Sequence, residues 1–251
     1  KNPLVFYTLL WLFSWLSGAK RILGFNRADA KELNWLFSSE TIDKSSRTLP
    51  KIKHYWKFLE YLGAQVPDSA YVDLHLMSQQ ELGSIFNFNF SSPYVVINLG
   101  SSWESKDWPE EKYISLINGF ISAAPGVLLL LTGTALHQKI ADNIVLSCNL
   151  GLTEQAIVNL CNKTSLVQLA SIICYAKVVF GPDSGPAHIA AMLGIPFVGV
   201  FGPTDTDRTA PYGKNIELIT SQVSCRPCYK RKCPGLGQVC LTTIDPKVPL
   251  E

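Results

Sequence analysis

"VVFGPDSGPAHIAAMLGIPFVGVFGPTD", residues 178–205, holds two short apolar runs separated by a segment of small residues. The runs at 177–181 and 196–201 predict buried strands, and 185–194 between them predicts a helix. Continuous apolar strands joined by a helix belong to a parallel sheet covered on both faces. The turn after the first strand is the unusual part. Asp183, Ser184 and Gly185 stand there, with His188 one helical turn later. An acid, a hydroxyl and an imidazole gathered at one turn call for a charged ligand above them.

Such a turn brings the amino terminus of the next helix to the ligand crevice, where free N–H groups and the helix dipole favour an anion. Asp183 or Ser184 would cap the helix, Pro186 suits its first turn, and Gly185 lets a phosphate reach the backbone. His188 lies three residues beyond Gly185 and four beyond Ser184, on the same helical face. The plain alternative is an ordinary capped turn with a locally bonded histidine. A serine-hydrolase elbow is excluded: it needs glycine two residues either side of the serine, and Ser184 has Pro182 and Pro186 there.

The same alternation continues on both sides. Strands are expected at 94–99, 127–132 and 157–160, and helices at 110–123, 135–143 and 165–175. Residues 91–251 therefore predict an α/β domain with a doubly wound, Rossmann-like parallel sheet. Before it, residues 1–17 predict a helix, 20–25 a strand, and 51–63 an amphipathic helix closed by Gly63. Polar and turn residues gather over 76–94, which places a domain boundary near 88–93. A second strand-to-loop passage, "NLGSSWESKDWPEEKY" at 98–113, puts Ser101 and Ser102 among backbone amides, with Lys106 ahead of a helix that starts near Pro109. Amides, hydroxyls and an ammonium suit a pyrophosphate. The alternative is a polar surface loop with Trp108 as a hydrophobic staple.

A chain of 251 residues, 47% hydrophobic and 17% charged, can fill one large or two ordinary cores. A net charge of +2, with no lysine and arginine stripe between aromatics, argues against a nucleic-acid binder. The apolar run Leu4 to Leu16 is shorter than the roughly 18–20 residues of a bilayer span, so it predicts a buried helix, with a signal peptide as the alternative. Cys148, Cys161 and Cys174 sit in apolar patterns and predict core thiols in a reducing compartment. His54, His75, His137 and the tryptophans Trp11, Trp15, Trp35 and Trp56 read as structural, whereas Trp103 flanks a ligand loop.

Taken together, "GSSWESKDWPEEKYISLI", the segment from Lys163 to Asp205, "PYGK" and "CRPCYKRKCP" resemble the bacterial heptosyltransferase family, family nine of the glycosyltransferases. The likeness runs over most of 91–245, with a weaker one over 17–63 through "SGAKRILGFNR" and the helix ending at Gly63. It implies the GT-B architecture: a partial amino-terminal, acceptor-side α/β domain at 1–90 and a nucleotide-sugar-binding domain at 91–251. It implies an inverting glycosyltransferase moving a heptose from ADP-heptose to the inner core of lipopolysaccharide, in the cytoplasm, with no metal or other cofactor. Carried onto this sequence, the pyrophosphate positions fall on Ser101, Ser102, Lys106, Asp183, Ser184, Gly185 and His188. Gly133 and the segment Gly202, Pro203, Thr204, Asp205 would line the cleft, with residues 133–138 near the nucleoside. The implied partners are the donor and a lipopolysaccharide core or lipid A precursor, with peripheral contact at the inner membrane.

The family's presumed base, an aspartate in a glycine-rich loop after the first strand, has no counterpart before Leu4. Lys1 in place of Met and the end at "DPKVPLE" also predict a piece shortened at both ends, so the catalytic base stays unassigned. A nucleotide-sugar-binding module without catalysis is the alternative function. Cys225, Cys228, Cys233 and Cys240 could supply a tetrahedral zinc site. Against it, only Cys225 and Cys228 have a zinc-like spacing, and the loop would equally pack or grip an anionic acceptor.

Overall fold

The computed structural model describes residues 13–14, 16–30, 33–46, 48–66, 74, 76–148, 157–235 and 237–250. Most of the predicted helix 1–17 lies outside them, as do His75, Trp11 and Trp15. By internal contact the chain divides into two compact units, 1–68 and 69–251.

In the first unit the predicted strand 20–25 shortens to β1 (Leu23–Gly24), which pairs in parallel with β2 (Glu40–Thr41). Helix α1 (Lys51–Tyr61) follows. Phe25 meets the α1 rings of Tyr55 and Phe58 edge-on, at centroid distances of 6.0 and 4.8 Å. Ile42 is fully buried, and the Asp29 carboxylate accepts the Ser45 N–H at 2.6 Å. Arg21 grips Glu40 through two hydrogen bonds of 2.7 Å. Those bonds hold the Glu40 carboxyl down to about 2.

The second unit starts earlier than the expected boundary near 88–93. Helix α2 (Gln79–Phe86) opens on a capping box between Ser78 and Glu81. Leu82 of α2 and Phe90 join Tyr94 in one apolar cluster, which draws residues 79–90 into this unit. Then come β3 (Tyr94–Asn98), α3 (Glu110–Ala123), β4 (Leu128–Thr132), α4 (Gln138–Cys148), β5 (Ile157–Asn159), α5 (Leu166–Cys174), β6 (Val178–Pro182), α6 (Gly185–Met192) and β7 (Phe197–Phe201). Short helix α7 (Thr206–Thr209), strand β8 (Ile216–Thr220) and short helix α8 (Val239–Thr242) complete it.

The six strands are all parallel, in the order β5-β4-β3-β6-β7-β8. Every residue of β3 and β4 is buried, as expected of strands covered on both faces. Alternate side chains divide between two cores. Val95, Ile97, Leu129 and Leu131 pack under α3, α4 and α8. Val96, Leu128, Leu130 and Val179 pack under α2, α5 and α6. Helix α4 begins three residues later than predicted and runs to Cys148, because a 3-10 turn, Ala135–His137, comes first.

Candidate functional site

The strand order reverses direction between β3 and β6, which are neighbours in the sheet but far apart in sequence. At such a reversal the loops leaving the two carboxyl ends part and leave a crevice. Asn98, the last residue of β3, is buried there, and its side-chain amide donates to Gly100 O at 2.8 Å and to Ser184 Oγ at 3.0 Å. One amide thus ties together the loops after β3 and β6.

A cavity of about 630 Å³ opens over this point. All seven residues assigned to the pyrophosphate line it: Ser101, Ser102, Lys106, Asp183, Ser184, Gly185 and His188. Gly133 lines it as well. Gly202, Pro203, Thr204 and Asp205 are not among the lining residues. Gly202, Pro203 and Thr204 are buried, and Asp205 caps α7 by accepting the Asp207 N–H at 3.0 Å.

In the first loop Ser101 is already engaged. Its N–H donates to Asp107 Oδ1 at 2.8 Å and its hydroxyl to Trp103 O at 3.1 Å, so it shapes the loop. Ser102 is exposed at the cavity. Lys106 is 14% exposed, with its ammonium 4.5 Å above the Trp103 ring and 2.8 Å from Asp183 Oδ2. That approach is a close ion pair rather than a well-directed hydrogen bond, and a longer contact of 3.4 Å reaches Asp183 O.

In the second loop Ser184 occupies the N-cap of α6 but makes no capping bond with its side chain. Its hydroxyl donates to Pro182 O at 3.1 Å and accepts from Asn98. Asp183 turns to Lys106, so the expected cap is absent at Ser184 and the helix amino terminus points its N–H groups at the cavity. No Cβ at Gly185 would meet an atom within 4 Å, which leaves the backbone open to a ligand. His188 lines the same space from the next turn.

Three features escaped the sequence. Asn162, Thr164, Leu166 and Leu169, at and after the end of β5, form the far wall of the cavity. Asn98 was signalled only by a polar residue ending an apolar strand. His137 is 3% exposed and wedged behind the first loop, where a Cβ on Gly100 would come within 2.0 Å of its Nε2.

The cysteine loop is a strap along the same edge of the sheet. At one end Arg226 donates to Gly202 O, Ser221 O and Thr204 O at 2.6, 3.2 and 3.2 Å. At the other, the N–H and hydroxyl of buried Ser105 donate to Arg231 O and Lys230 O at 3.2 and 2.5 Å. Arg231 lies 5.6 Å from the Trp103 ring centre. Cys225, Cys228, Cys233 and Cys240 are free thiols, and burial with the neighbouring cysteines pushes Cys240 up. Among the described residues no three His, Cys, Asp or Glu side chains are placed to hold a metal ion. Among the described residues no helix is long and apolar enough to cross a membrane.

A family model described as glycosyltransferase family 9 (heptosyltransferase) matches residues 11–237. Lipooligosaccharide heptosyltransferase 2 of Campylobacter jejuni subsp. jejuni serotype O:2 is 27% identical over 212 residues, covering 80% of this chain and 64% of that protein. The chain thus spans less than two thirds of that curated relative. The solved E. coli ADP-heptose lps heptosyltransferase II superposes with a TM-score of 0.73 at 20% identity, over 96% of this chain and 71% of that one. E. coli heptosyltransferase WaaC with ADP-2-deoxy-2-fluoro heptose superposes with a TM-score of 0.56 at 26% identity, over 80% and 58%. Each of these proteins is named a heptosyltransferase, which lends no support to a binding module without catalysis.

Proposed function

The chain belongs to glycosyltransferase family 9, the heptosyltransferase family, and on that footing we propose that it carries the donor site of an inverting transferase. The reaction moves a heptose from ADP-heptose to the inner core of lipopolysaccharide or a lipid A precursor. A structure of WaaC holding an ADP-heptose analogue favours that donor. The observation that carries the reading is the convergence of Ser102, Lys106, the amino terminus of α6 and His188 on one cavity.

In this reading the diphosphate lies between Lys106 and the free N–H groups of α6. The nucleoside runs along the wall from Asn162 to Leu169, where two leucines offer apolar surface to a base. The acceptor hydroxyl attacks the anomeric carbon, the bond to the diphosphate breaks, ADP leaves, and the hydroxyl proton passes to a base that no residue here is assigned to. Charge builds on the departing diphosphate, and preorganised donors stabilise it without rearranging. The first unit, residues 1–68, takes the acceptor side. The strap cations Lys230, Arg231 and Lys232 face an anionic acceptor, and the work is done in the cytoplasm in peripheral contact with the inner membrane. No metal takes part.

Calorimetry with ADP, UDP and GDP tests the donor site, with ADP expected to bind tightest. Mass spectrometry of the acceptor after incubation with ADP-heptose tests transfer. Failure of all three nucleotides to bind would overturn the reading.

A further inference from the structure

We infer that Asp107 and His137 form a clamp that positions the loop from Gly100 to Lys106 against the cavity. The inference rests on the reading of that cavity as a diphosphate site. His137 sits in the 3-10 turn after β4, and Asp107 closes the loop after β3, so the pair joins two loops that both line the cavity.

The geometry fixes where the imidazole proton lies. The Thr134 N–H donates to His137 Nδ1 at 3.2 Å, and a backbone N–H can only donate. Nδ1 is therefore bare, and the neutral ring carries its proton on Nε2. That Nε2–H faces Asp107 Oδ2 at 3.6 Å, a charge–dipole contact longer than a hydrogen bond. The other oxygen of Asp107 accepts the Ser101 N–H at 2.8 Å. The Ser101 amide, the Asp107 carboxylate, the imidazole and the Thr134 amide thus stand in series.

Space for the ring is made by two glycines. A Cβ on Gly100 would come within 2.0 Å of Nε2, and one on Gly133 within 3.0 Å of the histidine Cβ. The ring therefore acts as a spacer between the loops, and the carboxylate orients the loop that presents Ser102 and Lys106. Asp107 and His137 touch no reacting atom in this scheme; they are positioning residues.

The test uses the full chain with 15N-labelled histidine, the His137 signals being assigned with His137→Gln. Long-range 1H–15N correlation of the unliganded protein should show the Nε2–H tautomer at His137. In Asp107→Asn the Thr134 N–H still keeps Nδ1 bare, so the tautomer should hold, while the Nε2 signal should shift because a neutral amide replaces the carboxylate facing it. ADP affinity by calorimetry should fall roughly tenfold in Asp107→Ala, the scale of losing one hydrogen bond to a charged group. Asp107→Asn keeps an acceptor for the Ser101 N–H and should recover most of that loss. A protonated Nδ1 in the parent protein overturns the clamp. So does Asp107→Ala binding ADP as tightly as the parent or more so, because the carboxylate would then be idle or a competitor. If Asp107→Ala does not fold, Asp107→Asn decides: an unchanged Nε2 signal or an unchanged affinity overturns the clamp, and a shifted signal with a smaller affinity loss supports it. A parent protein that binds no ADP overturns the donor-site reading, while the tautomer result still decides the clamp.

Discussion

The ammonium of Lys106 stands 2.8 Å from the Asp183 carboxylate, although the two residues come from loops after different strands. On the proposed reading, the cation that would meet a diphosphate already pairs with a carboxylate across the crevice. A diphosphate bound as proposed would have to recruit Lys106 while keeping its distance from Asp183. Lys106→Met should weaken ADP binding roughly ten- to hundredfold, the scale of about 1.5–3 kcal/mol for a hydrogen bond to a charged group. Asp183→Asn removes the competing negative charge and should leave ADP affinity unchanged or a few-fold tighter. Titration calorimetry of both variants checks the pair of signs, and parallel losses would count against competition.

Gly100 is held to glycine by its neighbour rather than by its backbone angles. Any Cβ there would come within 2.0 Å of the buried His137 ring. Gly100→Ala must therefore push the imidazole or bend the loop, and overpacking of this kind typically costs about 1–3 kcal/mol. Thermal unfolding should show a drop of several degrees, with ADP binding weakened in the same variant. A midpoint equal to that of the parent would mean that the ring has room to move.

Alkaline pH should weaken the second unit. Burial pushes the Cys161 thiol up to about 12 and Cys148 to about 11, from 9.0. A group raised on folding contributes its full stability below the unfolded value and loses it as pH climbs through the folded one. Stability should therefore hold to about pH 9 and decline from there towards 12. Burial also raises Tyr113 and Tyr94, which extends the decline upward. Urea midpoints measured from pH 7 to 11 check the onset. Replacing Cys161 with Ala should soften the slope above pH 9.

The sheet was legible because its strands are short, continuous and apolar, as at Val95 to Ile97 and Leu128 to Leu131. Helix α3 matched its predicted span 110–123, with Pro109 before it and its apolar face buried. Strand β8 was not seen: "IELIT" is an edge strand with an exposed Glu217, and half-exposed residues blur the pattern. Helix α2 was missed although Ser78 and Glu81 spell a capping box, because it is only 8 residues long. At the site, residue types at strand ends pointed to seven positions that share one cavity. Their meeting, however, depends on β3 and β6 being neighbours, which no local pattern states. Ser184 and Ser101 show the other limit. Both hydroxyls bond to carbonyls of their own loops, a choice made by packing around Asn98 and Asp107.

The strap that begins at Arg226 should report on the loop it grips, the one carrying Ser105 and Lys106. Arg226 satisfies three carbonyls with one planar fork, a pattern lysine has no means of repeating. Each carbonyl left bare and partly buried costs about 1–3 kcal/mol, so Arg226→Lys should lower thermal stability by several degrees. Ser105 links the other end of the strap to the turn carrying Lys106, with its hydroxyl on Lys230 O and its N–H on Arg231 O. Ser105→Ala keeps the backbone bond and loses the hydroxyl, so the strap should loosen without the unit unfolding. Hydrogen exchange should then rise over residues 226–238 and over 103–106 together, since Arg231 also leans on Trp103. Faster exchange confined to the strap would mean that Trp103 and Lys106 hold their places without it.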